Sequence, residues 1–511
     1  MQTDESARVR VIILSCAALW VLALFIFMRR FMLDDAYIGF TYLKHLLGGQ
    51  GFVFNLGERI EGITNAGWLL FLIPASSLLP IPIAAKFCSL ALVGVTLFFT
   101  YRLTGKLRSS EESPSGTETV LVTATSFEFI FFSFSGMETA LLAAMLCFAL
   151  WLSTNGRHPG AAAVLALAFS VRPETILIAP LWLLFSLLTR SIGKKTIARA
   201  TAWYVGIVAL TEVVRLLYYA APLPNTFTAK STTLTELLPR IVKLPLHLSR
   251  IHNIAQPFAS LIAVAMMGFG AWKPAPSADR SGRFLALSII AAGLAFAVYA
   301  PEDWTGLGRY FAPYLPVAVM LLLSGAGTLL NLVSISPKAR RTILTGAVAA
   351  FTFSGVYDAA FSLQPAVQGR YPWYVMSSEK LVPAAQWIKN NTPPDSRIAT
   401  RRIGCLSYYG NRTIFDCIFG LTDRDVARLI AEHGQPFVLP THEALSELWR
   451  IRKPDYLIED TNIIQELSRP FMDSTFSVHG MVYTPVKKFP INYKTDWILC
   501  KRTDGPFSGP R

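Results

Sequence analysis

Two adjacent aspartates follow the first long apolar run of the sequence. Asp34 and Asp35 stand shortly after residues 11–28, which are almost wholly apolar. Neighbouring residues on a helix point about 100° apart, so the two carboxylates are expected to have different roles. One is suited to taking a proton from a reacting group, and the other to binding a metal ion or orienting its neighbour. A carboxylate at a helix start can instead cap free backbone N–H groups, and that interpretation stays open.

The segment that carries the aspartates has the pattern of a helix lying along a membrane surface. Apolar residues recur through 34–47 with roughly helical spacing, and Gly48-Gly49 is expected to end the helix. A carboxylate pair at the edge of a membrane is costly unless it is hydrated, paired or bound to a cation. The position therefore favours a functional role for the pair.

The composition is that of a membrane protein with a polar tail. Of the 511 residues, 52% are hydrophobic, and apolar runs of span length recur over 11–361. We therefore predict a polytopic α-helical membrane domain over 1–362, with its catalytic loop at 29–82, and a soluble α/β domain over 363–511. Much of the net charge of +14 lies in short basic loops between apolar runs, which argues against nucleic acid as a partner.

The distribution of basic residues predicts the topology. Arg29-Arg30, rather than a small-residue cleavage site, follows the first run, which indicates an uncleaved span with a cytoplasmic N-terminus. The short run 67–79 is broken by two prolines and is expected to be interfacial or re-entrant. With about eleven spans the basic loops then fall inside. The predicted spans are 11–28, 83–101, 119–135, 138–154, 160–171, 174–189, 200–219, 255–272, 284–300, 314–333 and 342–361.

The same count places the unusual polar residues on the outer face. The outer segments include 29–82, 220–254, 301–313 and everything after 362. The inner loops therefore carry the topology signal, and the outer loops are expected to carry the chemistry.

Motifs on these outer segments resemble a known family. The stretch DDAYIGFTYLKHLLGGQGFVFNLGERIEGITN (34–65) closely resembles the first extracytoplasmic loop of the GT-C class of membrane glycosyltransferases. Within that class it is similar to the arabinofuranosyltransferase-like group, typified by mycobacterial terminal β-(1→2)-arabinofuranosyltransferases. The resemblance continues in register through FSGMETAL (134–141), VRPE (171–174), RLLYYAAPLPNTFTAK (215–230), DWTGLGRYFAPYLP (303–316), FDCIFGLTDRDVA (415–427) and KPDYLI (453–458).

The resemblance implies an enzyme of the bacterial inner membrane. It would move one sugar, expected to be D-arabinofuranose, from polyprenyl phosphate to an extracytoplasmic glycan, lipopolysaccharide or surface protein such as pilin. It implies that Asp34 acts as the base and that Asp35 supports it or binds a divalent cation (Mg²⁺, Mn²⁺ or Ca²⁺), although the two roles are interchangeable on sequence grounds. Leaving phosphate would be stabilised by cationic groups.

The remaining site residues follow from their places in the matching motifs. Lys230, Arg309 and Arg172 are expected to contact the phosphate, although Arg172 could instead pair with Glu174, and Lys230 could simply reach toward the membrane surface. Ala220-Ala221-Pro222 departs from the family pattern, so a sugar contact there is in doubt. Further residues expected on the donor side are Glu58, Arg59, Glu61, Asn65, Asp303 and Tyr310, and those expected on the substrate side are His45, Asn225 and Tyr219.

Alternatives remain for several of these residues. The donor-side residues of the first loop could form a self-satisfied turn, Asp303 could pair with Arg309, and Glu138 could only cap a helix. Glu212 and Arg215, three residues apart, are expected to form an intramembrane pair.

The tail has the pattern of a small α/β domain. An amphipathic helix is predicted over 379–389 and strands over 397–399, 413–418, 455–458, 481–486 and 496–500. Cys405 and Cys417 could pair if the tail is extracytoplasmic. Asp416 and Asp423 match the family motif but are assigned no catalytic role.

Two other classes of function remain open. A transporter of lipid-linked sugars would place functional charges on both faces or at mid-bilayer. A binding protein for envelope polymers would need no catalytic carboxylates. The gathering of polar motifs on the outer face favours the transferase.

Overall fold

The computed structural model describes residues 2–108, 113–229, 267–268, 280–300, 308–362, 380–433, 443–460, 475–490 and 496–504. The chain divides into two compact units, and each unit is built from segments that are distant in sequence. The first unit contains Met1–Arg30, Pro82–Val214 and Thr232–Val367, and the second contains Phe31–Ile81, Arg215–Ser231 and Gln368–Arg511. The second unit thus joins the first outer loop to the tail, which the sequence had assigned to separate domains.

Long apolar helices dominate the chain before the tail. Among the described residues, six helical segments are long and apolar enough to cross a membrane: Ala7–Phe27, Ile81–Leu107, Lys194–Tyr219, Arg280–Tyr299, Ala312–Leu330 and Pro337–Ala360. Shorter apolar helices lie at Ala66–Ser76, Thr139–Thr154, His158–Val171 and Pro173–Leu188, the last beginning with a 3-10 turn at Pro173–Leu177. The first of the six helices begins at Gln2, and the helix that starts at Pro337 ends at Ser362. A 3-10 turn at Ala312–Tyr314 precedes the helix Leu315–Leu330. The chain is therefore a multi-pass membrane protein, while the count of eleven spans stays a prediction.

One predicted span is wrong in its continuity. The expected helix over 119–135 is broken at Ser126, whose backbone is extended, into Gly116–Thr125 and Phe127–Ser133. Thr123 and Ser126 hydrogen-bond back to the carbonyl oxygens of Thr119 and Val122, at 2.8 and 2.9 Å. Hydroxyls bound to the preceding turn compete with the helical ladder and bend helices. The predicted span 255–272 lies outside the described residues except for 267–268.

Two buried cationic side chains of the first unit donate to backbone carbonyl oxygens. The ammonium group of Lys86 is buried and donates to the carbonyl oxygens of Met28 (2.8 Å) and Phe134. Arg283 is almost fully buried and donates to the carbonyl oxygen of Leu107 at 2.8 Å. Bilayer hydrocarbon offers no hydrogen-bond partners, so these contacts tie the helix ends together.

A mixed sheet of six strands forms the tail part of the second unit. The order is β2-β1-β3-β6-β5-β4; β1 pairs in parallel with β2 and β3, and the other pairs are antiparallel. Buried side chains including Phe415, Trp449, Leu457 and Ile498 fill its core. The strands are β1 (Arg397–Thr400), β2 (Thr413–Asp416), β3 (Tyr456–Asp460), β4 (Phe476–Val478), β5 (Met481–Pro490) and β6 (Asp496–Arg502). The helices of this unit are Asp34–Leu47, Ala66–Ser76, Asn225–Ala229, Val382–Asn391, Ile403–Gly410, Arg424–His433 and Glu443–Arg452.

The prediction that the tail is an α/β domain is confirmed. All five predicted strands and the first helix are present, with small shifts of their ends. The suggested disulfide is wrong, because Cys405 and Cys417 are both buried free thiols. Cys417 belongs to the apolar core of the sheet, whereas Cys405 lies on the helix Ile403–Gly410.

Candidate active site

The acidic pair begins a helix that we call the loop helix (Asp34–Leu47). Its consecutive residues from Ala36 to Leu43 are all buried, so the helix is enclosed by the protein on all sides over this stretch rather than on one face alone. The chain leaves the helix through Gly48 and then Gly49, whose φ of 72° suits a residue without a Cβ. Leu33, not Asp34, is the N-cap residue. The capping role considered for Asp34 within its own helix is therefore wrong.

The Asp34 carboxylate instead caps another helix. It is buried, and it accepts hydrogen bonds from the backbone N–H groups of Cys405 (2.7 Å) and Gly404 (3.2 Å). These are the third and second residues of Ile403–Gly410, which we call the tail helix. Such a helix end favours an anion through its free N–H groups and its dipole. Burial raises the pKa of the Asp34 carboxyl, against the opposing effects of the Cys405 N–H and the Arg402 charge.

Asp35 has a different setting from its neighbour. It is half-buried rather than buried, and it lies about 100° around the loop helix from Asp34. The charges of Asp35 and Asp34 both act on the Arg402 guanidinium, so all three groups are close together. The two carboxylates therefore differ in exposure, as expected from their adjacent positions on a helix.

Further hydrogen bonds join the loop helix to the tail helix. The hydroxyls of Thr41 and Ser407 are 2.8 Å apart, and the Lys44 ammonium donates to the Tyr408 carbonyl oxygen at 2.9 Å and to the Asn411 side chain at 3.0 Å. A Cβ at Gly404 would overlap the Asp34 carbonyl oxygen. The two helices are thus in close contact along several turns.

The other expected residues of the first loop have partners inside the protein. Glu61 is buried and forms an ion pair with Arg215 (Nε–Oε2 2.8 Å). The sequence had paired Arg215 with Glu212 and had not predicted this contact with Glu61. Arg59 is exposed and its guanidinium lies 5.3 Å from the centre of the Tyr218 ring. Glu58 is exposed and accepts from Asn55 at 3.1 Å, and Asn65 is the N-cap of Ala66–Ser76.

The residues expected on the substrate side also contact the backbone of this unit. The Nδ1 atom of His45 lies 2.9 Å from the Val53 carbonyl oxygen, and the Tyr219 hydroxyl donates to the Phe52 carbonyl oxygen at 2.7 Å. Asn225 donates to the Gly420 carbonyl oxygen at 2.7 Å. These contacts hold the loop in shape, and a role in substrate binding stays a prediction.

A second cluster of charged residues lies in the first unit. Arg172 and Glu174 form the ion pair that the sequence left open (Nε–Oε1 2.7 Å), and Glu138 lies 3.9 Å from the same nitrogen. The Arg172 guanidinium also lies 5.9 Å from the centre of the Tyr310 ring. Arg309 is half-buried, and its charge acts on Arg172. The cluster brings three expected residues together, namely Arg172, Arg309 and Tyr310.

Two expected residues, Lys230 and Asp303, lie outside the described residues. Over the described part of the chain, no three His, Cys, Asp or Glu side chains are grouped as a metal site. A divalent cation at Asp35 therefore stays a prediction.

Sequence reasoning missed the tail residues around Asp34. Arg401 pairs with Glu459 (Nε–Oε2 3.2 Å) and with Asp460 at the ends of β1 and β3, and Arg402 lies 5.8 Å from the Trp497 ring centre. The sequence did contain a signal for this site: the predicted strand 397–399 is followed by Arg401-Arg402 and then by Gly404. A glycine-containing turn from a strand into a helix is a common place for an anion to bind. Asp416 accepts three backbone N–H groups from 419–422, which explains its motif without catalysis.

Solved structures define the fold. ArnT from Cupriavidus metallidurans in the apo state has a TM-score of 0.51 at 12% identity, with 98% of each chain covered. The apo oligosaccharyltransferase of Archaeoglobus fulgidus has a TM-score of 0.55 at 11% identity, with 88% of this chain and 69% of that chain covered. The archaeal oligosaccharyltransferase AglB from Archaeoglobus fulgidus, in complex with an inhibitory peptide and a dolichol-phosphate, has a TM-score of 0.52 at 11% identity, with 89% of this chain and 70% of that chain covered. The chain has the GT-C fold: a polytopic helical membrane protein with a C-terminal sheet domain.

Sequence comparison adds a particular relative. A terminal β-(1→2)-arabinofuranosyltransferase of Mycobacterium tuberculosis is 28% identical over 222 residues, which are 40% of this chain and 35% of the relative. The matched part thus spans about a third of the length of that curated relative. A domain of unknown function (DUF8728) matches residues 372–507. These findings confirm the resemblance to GT-C glycosyltransferases.

Proposed function

We propose that the chain is a membrane glycosyltransferase that moves a sugar, D-arabinofuranose, from a polyprenyl phosphate to an extracytoplasmic acceptor. The observation that carries this proposal is the acidic pair at the start of the loop helix, within a chain of GT-C fold. The similarity to a mycobacterial arabinofuranosyltransferase supports the sugar, and the dolichol-phosphate complex of the archaeal neighbour supports the lipid donor. The acceptor would be a glycan, lipopolysaccharide or a surface protein such as pilin.

The proposed reaction requires one base and one anchored phosphate. The acceptor oxygen forms a bond to the anomeric carbon while the bond from that carbon to the phosphate oxygen breaks. The electron pair leaves with the phosphate, and the acceptor proton passes to a carboxylate of the Asp34–Asp35 pair. We propose that Lys230, Arg309 and Arg172 contact the phosphate. Arg172 has fewer N–H groups to offer, because its Nε already bonds Glu174.

A divalent cation is compatible with this donor set. Mg²⁺ is often bound by one or two carboxylates together with substrate phosphates rather than by a complete protein cage. The half-buried Asp35 is the more accessible ligand, and one of its oxygens could bind such a cation while the other takes the acceptor proton. Such a cation would neutralise phosphate charge when bound.

The test uses purified protein with a panel of polyprenyl-phosphate sugars, with and without divalent cation. We expect transfer from the arabinofuranosyl donor and a loss of about 100-fold or more in Asp35→Asn, because a positioned base contributes on that order. Asp395→Asn, on an exposed position of the tail, is the matched control and is expected to keep wild-type transfer.

Two outcomes would contradict the proposal. Full activity in both Asp34→Asn and Asp35→Asn would remove the acidic pair from the chemistry. Movement of the intact lipid-linked sugar across a vesicle membrane without any transfer product would instead favour the transporter.

A further inference from the structure

The tail sheet has a place where α/β proteins commonly bind ligands. Strand β1 has β2 on one side and β3 on the other, and all three strands are parallel. The chain passes from β1 through the tail helix to β2 and later returns to the other side as β3. Such a reversal of strand order opens a crevice at the carboxyl ends of the strands, where anions bind the N-terminus of the following helix.

In this chain a side chain of the first outer loop fills that place. Asp34 lies against the N–H groups of Gly404 and Cys405, directly after β1. The absence of a Cβ at Gly404 leaves room for the Asp34 backbone. On the strand ends, Arg401 joins β1 to β3 through Glu459 and Asp460. The Asp34 carboxylate therefore occupies the position that a ligand anion takes in such folds.

We propose that the tail domain uses its ligand crevice to hold Asp34, and that Asp34 is a positioning residue whose anchoring fixes the loop helix and thereby orients Asp35. The assignment of Asp35 as the base rests on the proposed function. The acceptor proton then passes to the Asp35 carboxylate, while Asp34 stays bound to the tail helix through the reaction.

Three features of the molecule support the division of roles. Asp34 is 5% exposed, whereas Asp35 is half-buried, so an acceptor has better access to Asp35. Both Asp34 oxygens accept backbone N–H groups, so the tail helix fixes the orientation of this carboxylate. Thr41 and Lys44, about two and three turns further along the same helix, also bind the tail helix, so anchoring acts along most of the element.

The first experiment measures anchoring without using activity. Cys405 is buried beside Asp34, and Cys417 is buried in the sheet core of the same unit. Alkylation of the full-length protein in detergent, mapped by mass spectrometry, should show at least tenfold faster labelling of Cys405 in Asp34→Ala than in wild type, because alanine removes the oxygens that accept the two N–H groups. Cys417 is the internal control and should not change, and Asp395→Ala should resemble wild type. Unchanged labelling of Cys405 in Asp34→Ala would overturn the anchoring.

The second experiment asks whether a covalent link can replace Asp34. The Thr41 and Ser407 hydroxyls are 2.8 Å apart, so cysteines at these positions are near the spacing that a disulfide needs. In a Cys405→Ala background, which removes the neighbouring thiol, Thr41→Cys/Ser407→Cys would join the two helices. We expect oxidation to restore most of the transfer lost in Asp34→Asn, and reduction to abolish it again. The pH dependence of the restored transfer should follow that of the same cross-linked protein with Asp34 intact.

The outcomes separate this inference from the proposed function. If the cross-link forms but Asp34→Asn stays inactive while the cross-linked parent transfers sugar, Asp34 takes part in the chemistry and the positioning role is overturned. If the same cross-link restores Asp35→Asn, the assignment of Asp35 is overturned. If wild type transfers no sugar from any donor, the proposed function fails, and the labelling of Cys405 still decides whether Asp34 anchors the tail helix.

Discussion

Asp34 shows how a residue can be found from sequence while its role is not. The acidic pair was recognisable as unusual because it follows an apolar run, and helical geometry separated its two members. Its partner was hidden, because Gly404 lies 370 positions further along the chain. A capping role was considered for Asp34, but the capped helix is not its own. Local patterns reveal local caps, whereas this contact depends on the tertiary fold.

Glu459 gives the second unit a pH-dependent stability. Burial raises the pKa of its carboxyl to about 7, against the opposing charge of Arg401. An unfolded Glu titrates near pH 4.3, so between about pH 4 and about pH 7 the folded state holds a proton that the unfolded state has lost. The contribution of Glu459 to the free energy of unfolding is therefore full at low pH and is lost as the pH rises through about 7. We expect the Tm in detergent to fall from about pH 5 to about pH 8, and to fall less in Glu459→Gln.

The control for this prediction is Glu447→Gln, since the Glu447 side chain is 64% exposed. It should keep the wild-type dependence of Tm on pH. Equal slopes in Glu459→Gln and wild type would show that Glu459 is not the group responsible. Asp416, whose pKa burial raises to about 6, would then be the next residue to test.

The tail helix contains two glycines with different surroundings. A Cβ at Gly404 would overlap the Asp34 backbone, whereas a Cβ at Gly410 would meet the Ala385 carbonyl oxygen at an ordinary 3.5 Å. We expect Gly404→Ala to destabilise the second unit by about 1–3 kcal/mol, as overpacking does. Gly410→Ala should be close to neutral. Thermal unfolding of the two variants makes the comparison, and equal Tm values would refute the close approach at Gly404.

A similar pair of glycines lies on the helix Pro337–Ser362 of the first unit. A Cβ at Gly355 would overlap the Thr125 carbonyl oxygen, while no atom of the described residues lies within 4 Å of one at Gly346. Small residues let membrane helices approach closely, so Gly355→Ala is expected to cost about 1–3 kcal/mol. Gly346→Ala should be neutral or slightly stabilising. Thermal unfolding in detergent checks the difference, and a loss of stability in Gly346→Ala alone would contradict this packing.

Elements were predictable where their pattern is strong. In the part of the chain that the structure describes, the long apolar runs predicted the six long helices, and short β-rich runs predicted five of the six strands. The three-residue strand Phe476–Val478 was too short to recognise. The tail helix was missed for a related reason: its eight residues carry no clear period, and its cap comes from the loop helix. The break at Ser126 was missed because apolar residues continue on both sides of it.

The sidedness of the whole molecule can be tested with thiol probes. The topology prediction places the first outer loop and Arg309 outside the cytoplasm, and Lys338 inside. We expect Leu56→Cys, at a position 57% exposed, to react with an impermeant maleimide in intact spheroplasts. Arg309→Cys should also react in intact spheroplasts, but more slowly, because its position is half-buried. Lys338→Cys should react only after permeabilisation. Labelling of residues 56 and 309 from opposite sides would contradict both the topology and the proposed function.

The composition of the second unit was the least predictable feature of the molecule. Charge and hydropathy distinguish membrane from tail, and they assigned 29–82 to the membrane domain. The structure instead groups Phe31–Ile81 with Arg215–Ser231 and Gln368–Arg511. The grouping depends on particular contacts, such as Glu61 with Arg215 and Asn55 with Ile414. Composition carries no information about such pairings, because each consists of one or two hydrogen bonds or an ion pair between distant segments.

This grouping has a consequence for biosynthesis. Translation delivers the acidic pair early, because the first loop (29–82) leaves the ribosome long before its anchor in β1 and the tail helix, which is made only after residue 396. Domains fold as they are synthesised, so the loop must wait unanchored while the intervening helices insert. A chain that stops short of the tail would carry every proposed catalytic residue and still lack the support that orients them. The proposed activity would therefore begin only when synthesis is nearly complete.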